Sequence, residues 1–221
     1  MSHDSRRLRI VAVDHLIQFV ESSIHSILVA RGVYPNIPTT TKKRFGICVR
    51  LIASTAVSKY VKNFLTSLRA AITNDRVHVI SVLIQSTADP ALRERFNIEM
   101  PHDFARALLH EKNSYTDLTE LDVACTASLT LKEAYQGLER RLSVCAEPLK
   151  GPRTWELYVD VKPTANNAEM LDTPVGFATL DESSETAHRD VSDFVRFPLK
   201  SSSIDDKVVL LTYLDRRKNP S

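Results

Sequence analysis

From Leu8 onward the apolar residues Val13, Leu16, Ile17, Val20, Ile24, Ile27 and Leu28 recur at spacings of three and four, the stripe of one long amphipathic helix. Gly32 ends it, and Val33-Tyr34-Pro35 makes the exit sharp, because proline disfavours helical geometry in the residue before it. A polar loop is expected from Pro38 to Arg44, ahead of a short apolar stretch, Phe45 to Ile52. Ser54 suits the N-cap of a second helix that carries Val57, Tyr60, Val61, Phe64, Leu65, Leu68 and Ile72 on one face. Val77 to Ile84 is a nearly continuous β-branched run. After a turn at Ala88-Asp89-Pro90, Phe96, Ile98 and Met100 alternate with polar residues, so the pattern predicts a hairpin with a buried first strand and a half-exposed second.

A third helix is written with near-heptad spacing in Leu118, Leu121, Cys125, Ser128, Leu131, Tyr135, Leu138, Leu142 and Cys145. That is too few heptads for an isolated coiled coil, so packing onto a sheet is expected. Pro148 and Gly151-Pro152 close it. Trp155, Leu157, Val159 and Val161 then alternate with Glu156, Tyr158, Asp160 and Lys162, a strand with one core face and one polar face. Pro163 to Ser192 is polar and aperiodic over about 30 residues, a length that inside a compact domain usually carries function or disorder. Two strand-like runs follow, Phe194 to Leu199 and Val208 to Leu214. The order predicts an α+β protein, three main helices gathered on one side of a largely antiparallel sheet.

Composition narrows the chemistry. The 221 residues are 43% hydrophobic and 25% charged, enough for a single substantial core. No stretch approaches the ~18 apolar residues of a bilayer helix, and MSHDSRRLR lacks the apolar core of a secretory signal, so an intracellular chain is expected without membrane partners. A net charge of +2 is too balanced for a protein that grips nucleic acid with its whole surface. The five glycines never cluster into a phosphate-cradling loop. Cys48, Cys125 and Cys145 show no metal or disulfide spacing and are expected to be buried small apolar groups.

Seven histidines are present, none in a recognisable catalytic setting; His15 and His25 on the first helix are roughly 80° apart around its axis and form no metal pair. His102-Asp103 and His110-Glu111 are adjacent in sequence, which says little about convergence in space and reads as surface polar residues, while Asp181-Glu182 and Asp205-Asp206 lack the D-x-D-x-D-G spacing of a calcium loop. No catalytic residue, metal or cofactor is therefore assigned.

The first helix and its exit, DHLIQFVESSIHSILVARGVYP, resemble the HORMA family, and within it the accessory subunits of translesion DNA polymerase zeta. The segments STAVSKYVKNFLTSLRAAI, VHVISVLI, LSVC, RTWELYV, FPLK and TYL continue the resemblance in the same order, from about Asp14 to Arg216. It implies one HORMA domain over residues 1–221, with a core at about 8–162 and a C-terminal safety belt with terminal strands at 163–217. Such a belt wraps a partner peptide and traps it against the domain.

The resemblance further implies a non-catalytic adaptor in DNA repair, located in the nucleus. Its belt would hold a proline-containing peptide of the polymerase zeta catalytic subunit, with Tyr34, Pro35, Tyr60, Trp155 and Phe177 lining the groove. Phe177 stands in Pro174-Val175-Gly176-Phe177-Ala178, where vertebrate members carry tryptophan in a P-W-I-L-A-D setting. A second interface, at Phe197, Leu199 and Tyr213, would meet the C-terminal domain of the deoxycytidyl transferase scaffold polymerase. Pairing with another copy or another HORMA protein is implied on the third helix near Gln136, and remodelling by an AAA+ ATPase elsewhere. Two other readings remain open: a spindle-checkpoint HORMA protein that captures mitotic regulators, and a cysteine hydrolase built on Cys145 or Cys125.

Overall fold

The computed structural model describes residues 3–89, 91–100, 104, 119–145, 147–161, 194–204 and 208–217, with backbone alone at 3–5, 194–204 and 208–217. Helix α1 (His3–Ala30) is the spine of the core: Phe19, Val20, Ile24, Ile27 and Leu28 are fully buried along its stripe. Its end is a Schellman turn, in which the Val33 N–H donates to Leu28 O at 3.1 Å and the Gly32 N–H to Val29 O at 3.0 Å. Gly32 takes φ +57 there, a left-handed geometry that glycine adopts without a Cβ penalty.

The expected loop at Pro38 to Arg44 is instead a strand. β1 (Thr39–Arg44) pairs antiparallel with β2 (Ile47–Ile52), from Thr39 opposite Ile52 to Arg44 opposite Ile47. Three consecutive threonines favour extended backbone. The strand shows no apolar alternation because almost all of it faces solvent, and this is why its sequence reads as a loop. Arg44 fixes the hairpin to α1, donating to Gln18 O and Ser22 Oγ at 3.0 Å each and to Glu21 at 2.8 Å. The Ile52 N–H donates to Nδ1 of the buried His25 at 3.2 Å.

Helix α2 (Thr55–Thr73) begins as expected, with Ser54 Oγ accepting from the Val57 N–H, and buries Val57, Val61, Phe64, Leu65, Leu68 and Ile72. Helix α3 (Glu120–Val144) starts at a capping box between Thr119 and Asp122. Its buried stripe is Val123, Ala127, Leu131, Ala134, Tyr135, Leu138 and Leu142. Leu121, at 72% exposure, and Cys125 fall outside it, which corrects the heptad expected from the sequence. Two alanines in that stripe let α3 run close beside α1, so helix-on-helix packing contributes alongside the sheet.

The main sheet is antiparallel throughout, in the order β5 (Arg153–Val161), β3 (Val77–Ser86), β4 (Arg93–Glu99), β7 (Val208–Arg217), β6 (Phe194–Ile204). The central pair is β3 (Val77–Ser86) and β4 (Arg93–Glu99), the expected hairpin. β4 is more buried than its alternation suggested: Glu94, Phe96, Asn97 and Ile98 are all inside. Strand β5 (Arg153–Val161) pairs with β3, matching Val82 to Leu157 and Ile84 to Trp155. The terminal strands β6 (Phe194–Ile204) and β7 (Val208–Arg217) form a hairpin that joins the sheet on β4. β5 and the C-terminal hairpin thus lie on opposite sides of the β3–β4 pair.

The cysteines do not follow expectation. Cys48 sits on the solvent face of β2 and Cys125 on the outer side of α3, both exposed; Cys145 is half-buried and accepts a hydrogen bond from Arg31 at 3.0 Å. Cysteine is small enough for either face of an amphipathic element, and these stripes are filled by larger neighbours. No helix among the described residues is long and apolar enough to cross a membrane.

His25 is a core histidine only half satisfied. Nδ1 accepts from Ile52, so the ring proton sits on Nε2, which has no partner among the described residues. Burial pushes its pKa below the usual 6.5, opposed by Glu21 and reinforced by Arg44 and Lys42. The unfolded chain therefore binds a proton near pH 6.5 that the folded chain refuses. Stability is complete above that pH and should fall as pH drops below it, by at most ~1.4 kcal/mol per pH unit. Urea unfolding of wild type and His25→Gln across this range checks the expectation: the variant should lose that part of the slope, and an unchanged slope would assign it to other groups.

Candidate peptide-binding edge

Three of the residues singled out in the sequence meet at one place. The exit of α1 supplies Tyr34, α2 supplies Tyr60, and β5 supplies Trp155 from its core-facing side. The Trp155 Nε1–H donates to Tyr34 Oη at 2.6 Å. The Tyr60 ring stands edge-on to Trp155, with centroids 5.2 Å apart and planes at 85°. All three are partly exposed, Tyr60 by 39%, so they form a surface platform rather than closed core. Pro35, next to Tyr34, is exposed. Phe177 lies outside the described residues.

The platform borders an open strand edge. β5 pairs with β3 on one side and, among the described residues, with no strand on the other. Tyr60 belongs to that border: burial raises its pKa, a hydrogen bond with the Leu157 backbone lowers it, and the charge of Glu156 raises it again. On the opposite face of β5, Tyr158 donates a hydrogen bond to Glu156, and burial followed by that carboxylate pushes its pKa up to about 12. The edge thus offers main-chain groups flanked by aromatic area on one face and by carboxylates, Glu156 and the exposed Asp160, on the other.

Three residues before Tyr34 stands a buried charge that sequence reasoning missed. Arg31, 1% exposed at the end of α1, places Nε 3.2 Å from the carboxylate of Glu94, itself fully buried on β4. Its guanidinium lies 5.1 Å from the centroid of Phe96 and donates to Cys145. Arg153 of β5 reaches back to donate to the Arg31 carbonyl and to Gly151 O. The α1 exit, β4, β5 and the end of α3 are tied together within one turn of Tyr34. The available signal was parity: Glu94 occupies the same alternation as Phe96 and Ile98, a charged residue in the core register.

The second set of candidates is placed by backbone register only. Phe197 pairs with Leu214, Tyr213 pairs with Pro198 and with Asn97, and Leu199 falls at the irregularity between Pro198 and Lys200. Strand alternation assigns Phe197 and Tyr213 to alternate positions of the ladder. Gln136, on α3, lines a cleft beside β2. Among the described residues no group of three or more His, Cys, Asp and Glu side chains is arranged to hold a metal ion.

No protein-family model matches the chain. A Dictyostelium discoideum protein, the mitotic spindle assembly checkpoint protein MAD2B, is 31% identical over 83 residues, which cover 38% of this chain and 25% of that protein. The match thus spans about a quarter of the relative's own length. Among solved structures, a chain in the crystal structure of the mitotic checkpoint complex superposes with a TM-score of 0.63 at 16% identity, covering 93% of this chain and 98% of that one. Caenorhabditis elegans HTP-2 bound to HTP-3 closure motif 1 gives 0.59 at 10% identity, covering 92% and 84%. HTP-1 from the same animal, bound to HTP-3 motif-1, gives 0.57 at 12%, covering 92% and 88%. The three helices among the described residues, the antiparallel sheet and these superpositions give the chain the HORMA fold, and over 83 residues its sequence resembles MAD2B.

Proposed function

We propose that the protein is an adaptor that binds an extended, proline-containing peptide along the outer edge of β5. The observation that carries this reading is the Tyr34–Trp155–Tyr60 platform beside an edge with no strand partner among the described residues. A peptide added there gains main-chain hydrogen bonds from β5, while alternate side chains meet the aromatic platform. Proline rings suit such a surface, because both partners contribute flat apolar area and lose few rotamers. The C-terminal hairpin sits on β4, away from this edge. In our reading residues 163–217 act as the belt of a single domain: the terminal strands anchor it, and the preceding segment, with Phe177, closes over the peptide. Release then waits for the belt to open, which slows dissociation.

The likeness to MAD2B, together with the ordered motifs of the sequence, favours the catalytic subunit of DNA polymerase zeta as the source of the peptide. The role is then in translesion synthesis in the nucleus, with Phe197, Leu199 and Tyr213 reserved for the scaffold polymerase and an AAA+ ATPase for belt remodelling. A spindle-checkpoint role is the second reading, favoured by the checkpoint name of that same relative and by the fold shared with the mitotic checkpoint complex. Calorimetry with a proline-containing peptide from the polymerase zeta catalytic subunit and with a checkpoint-derived closure peptide separates them. Preferential binding of the polymerase peptide, with exchange protection of β5 amides, is expected. Binding of the checkpoint peptide alone would transfer the protein to the second reading.

A further inference from the structure

Helix α1 ends without a cation of its own. No basic residue stands in its last turn, and Arg31, the next residue, is committed to Glu94. The carbonyls at that end carry the negative pole of the helix dipole and lack partners within the helix. Leu28 O and Val29 O are taken by the Val33 and Gly32 N–H groups of the turn. The Arg31 carbonyl is met instead by the guanidinium of Arg153, 122 residues further along the chain at the start of β5. The same guanidinium donates through Nε to Gly151 O at 3.1 Å, so one planar fork spans the turn that enters β5 and the exit of α1. The approach is close: a Cβ on Gly32 would lie 3.5 Å from Arg153 Nη1. Among the described residues both hydrogen bonds of this cation go to main-chain carbonyls.

Trp155 follows Arg153 by two residues and stands on the same face of β5, and Tyr34 follows Arg31 by three. The α1 exit and β5 are therefore joined by two rungs, Arg153 to the Arg31 carbonyl and Trp155 Nε1–H to Tyr34 Oη. A single hydrogen bond leaves two segments free to pivot about it; a second, a few residues away, also sets their angle. Val33, Tyr34 and Trp155 are all half-buried, so packing constrains the exit less than it constrains the helix before it. We propose that Arg153 is a positioning residue for peptide capture: by bridging the Arg31 and Gly151 carbonyls it fixes the angle between the α1 exit and β5, and with it the place of the Tyr34 ring beside Trp155 and Tyr60. This role presupposes peptide binding along β5, as proposed above. Lysine is no equivalent, because its ammonium keeps the charge at the helix end without the fork that spans both carbonyls.

Trp155 is the one tryptophan of the chain, so its fluorescence reads the platform directly, with or without peptide. Arg153→Met should raise acrylamide quenching of Trp155 roughly twofold and, by calorimetry, weaken binding of the proline-containing peptide from the polymerase zeta catalytic subunit roughly tenfold. Arg153→Lys should fall between that variant and wild type in both readouts, at roughly threefold in affinity. Arg69→Met, which removes an exposed arginine from its pairing with Asp14 at the far end of α2, should match wild type in both. A residue that merely caps α1 would lower the urea midpoint yet leave the folded protein with wild-type affinity and quenching, and that result overturns the proposal. So does an Arg69→Met protein that loses as much as Arg153→Met. Where Arg153→Met does not fold, Arg153→Lys decides, and wild-type values in both readouts overturn the proposal as well. Wild type that binds no peptide would instead end the reading of the β5 edge; unchanged Trp155 quenching in the peptide-free variants would still overturn the link between Arg153 and the platform.

Discussion

Glu94→Gln will cost on the order of 3–5 kcal/mol of folding free energy, a large share of what a domain this size possesses. The glutamine fits the space but leaves the Arg31 guanidinium buried beside a neutral group, 1% exposed and facing the Phe96 ring. Desolvating that cation without its counter-charge is what makes the loss large. Replacing both partners together, as in Arg31→Met/Glu94→Leu, removes the charge and the need for it, and should recover most of the stability. Urea denaturation of the two singles and the double completes the cycle. A Glu94→Gln protein within ~0.5 kcal/mol of wild type would mean that the pair sits in a wetter environment than its burial indicates. The double variant has a second use: it should loosen the α1 exit, and with it Tyr34, even where stability returns.

Truncation of Tyr60 should remove about 2 kcal/mol or more of peptide affinity with little change in melting temperature. The ring is 39% exposed, so the free protein loses little packing, whereas the complex loses the wall that stands at 85° to Trp155. Tyr60→Phe separates the ring from its hydroxyl. It should keep most of the affinity, since the aromatic area is retained and only the bond with the Leu157 backbone is given up. Calorimetry on the folded variants gives the answer: a Tyr60→Ala protein that binds the peptide as well as wild type would remove Tyr60 from the site.

The helices and central strands were legible because each writes its own period. The stripe from Val13 to Leu28, the face from Val57 to Ile72 and the β-branched run from Val77 are local consequences of burying one side of an element. The failures share a cause as well. β1 faces water almost entirely, so no alternation marked it as a strand. In α3, Leu121 and Cys125 lie on the outer side while Val123 and Ala127 lie inside, and both registers are apolar enough to be mistaken for the core. Which one is buried depends on where α1 lies, and that is a tertiary fact.

For the candidate edge, the sequence by itself determined the residue types and their elements: Tyr34 at a helix exit, Tyr60 on the second helix and Trp155 on a strand. Only the tertiary structure decided that the three meet, with Trp155 bonded to Tyr34 and perpendicular to Tyr60, along an edge of the sheet that the C-terminal hairpin leaves alone. It alone decided that Arg31 is buried on Glu94 and that Arg153 meets the Arg31 carbonyl. The physical reason is one of range. Periodicity records a residue's own choice between water and core, which local sequence encodes. An ion pair or a ring contact records the meeting of residues tens of positions apart, and only the packed chain brings them together.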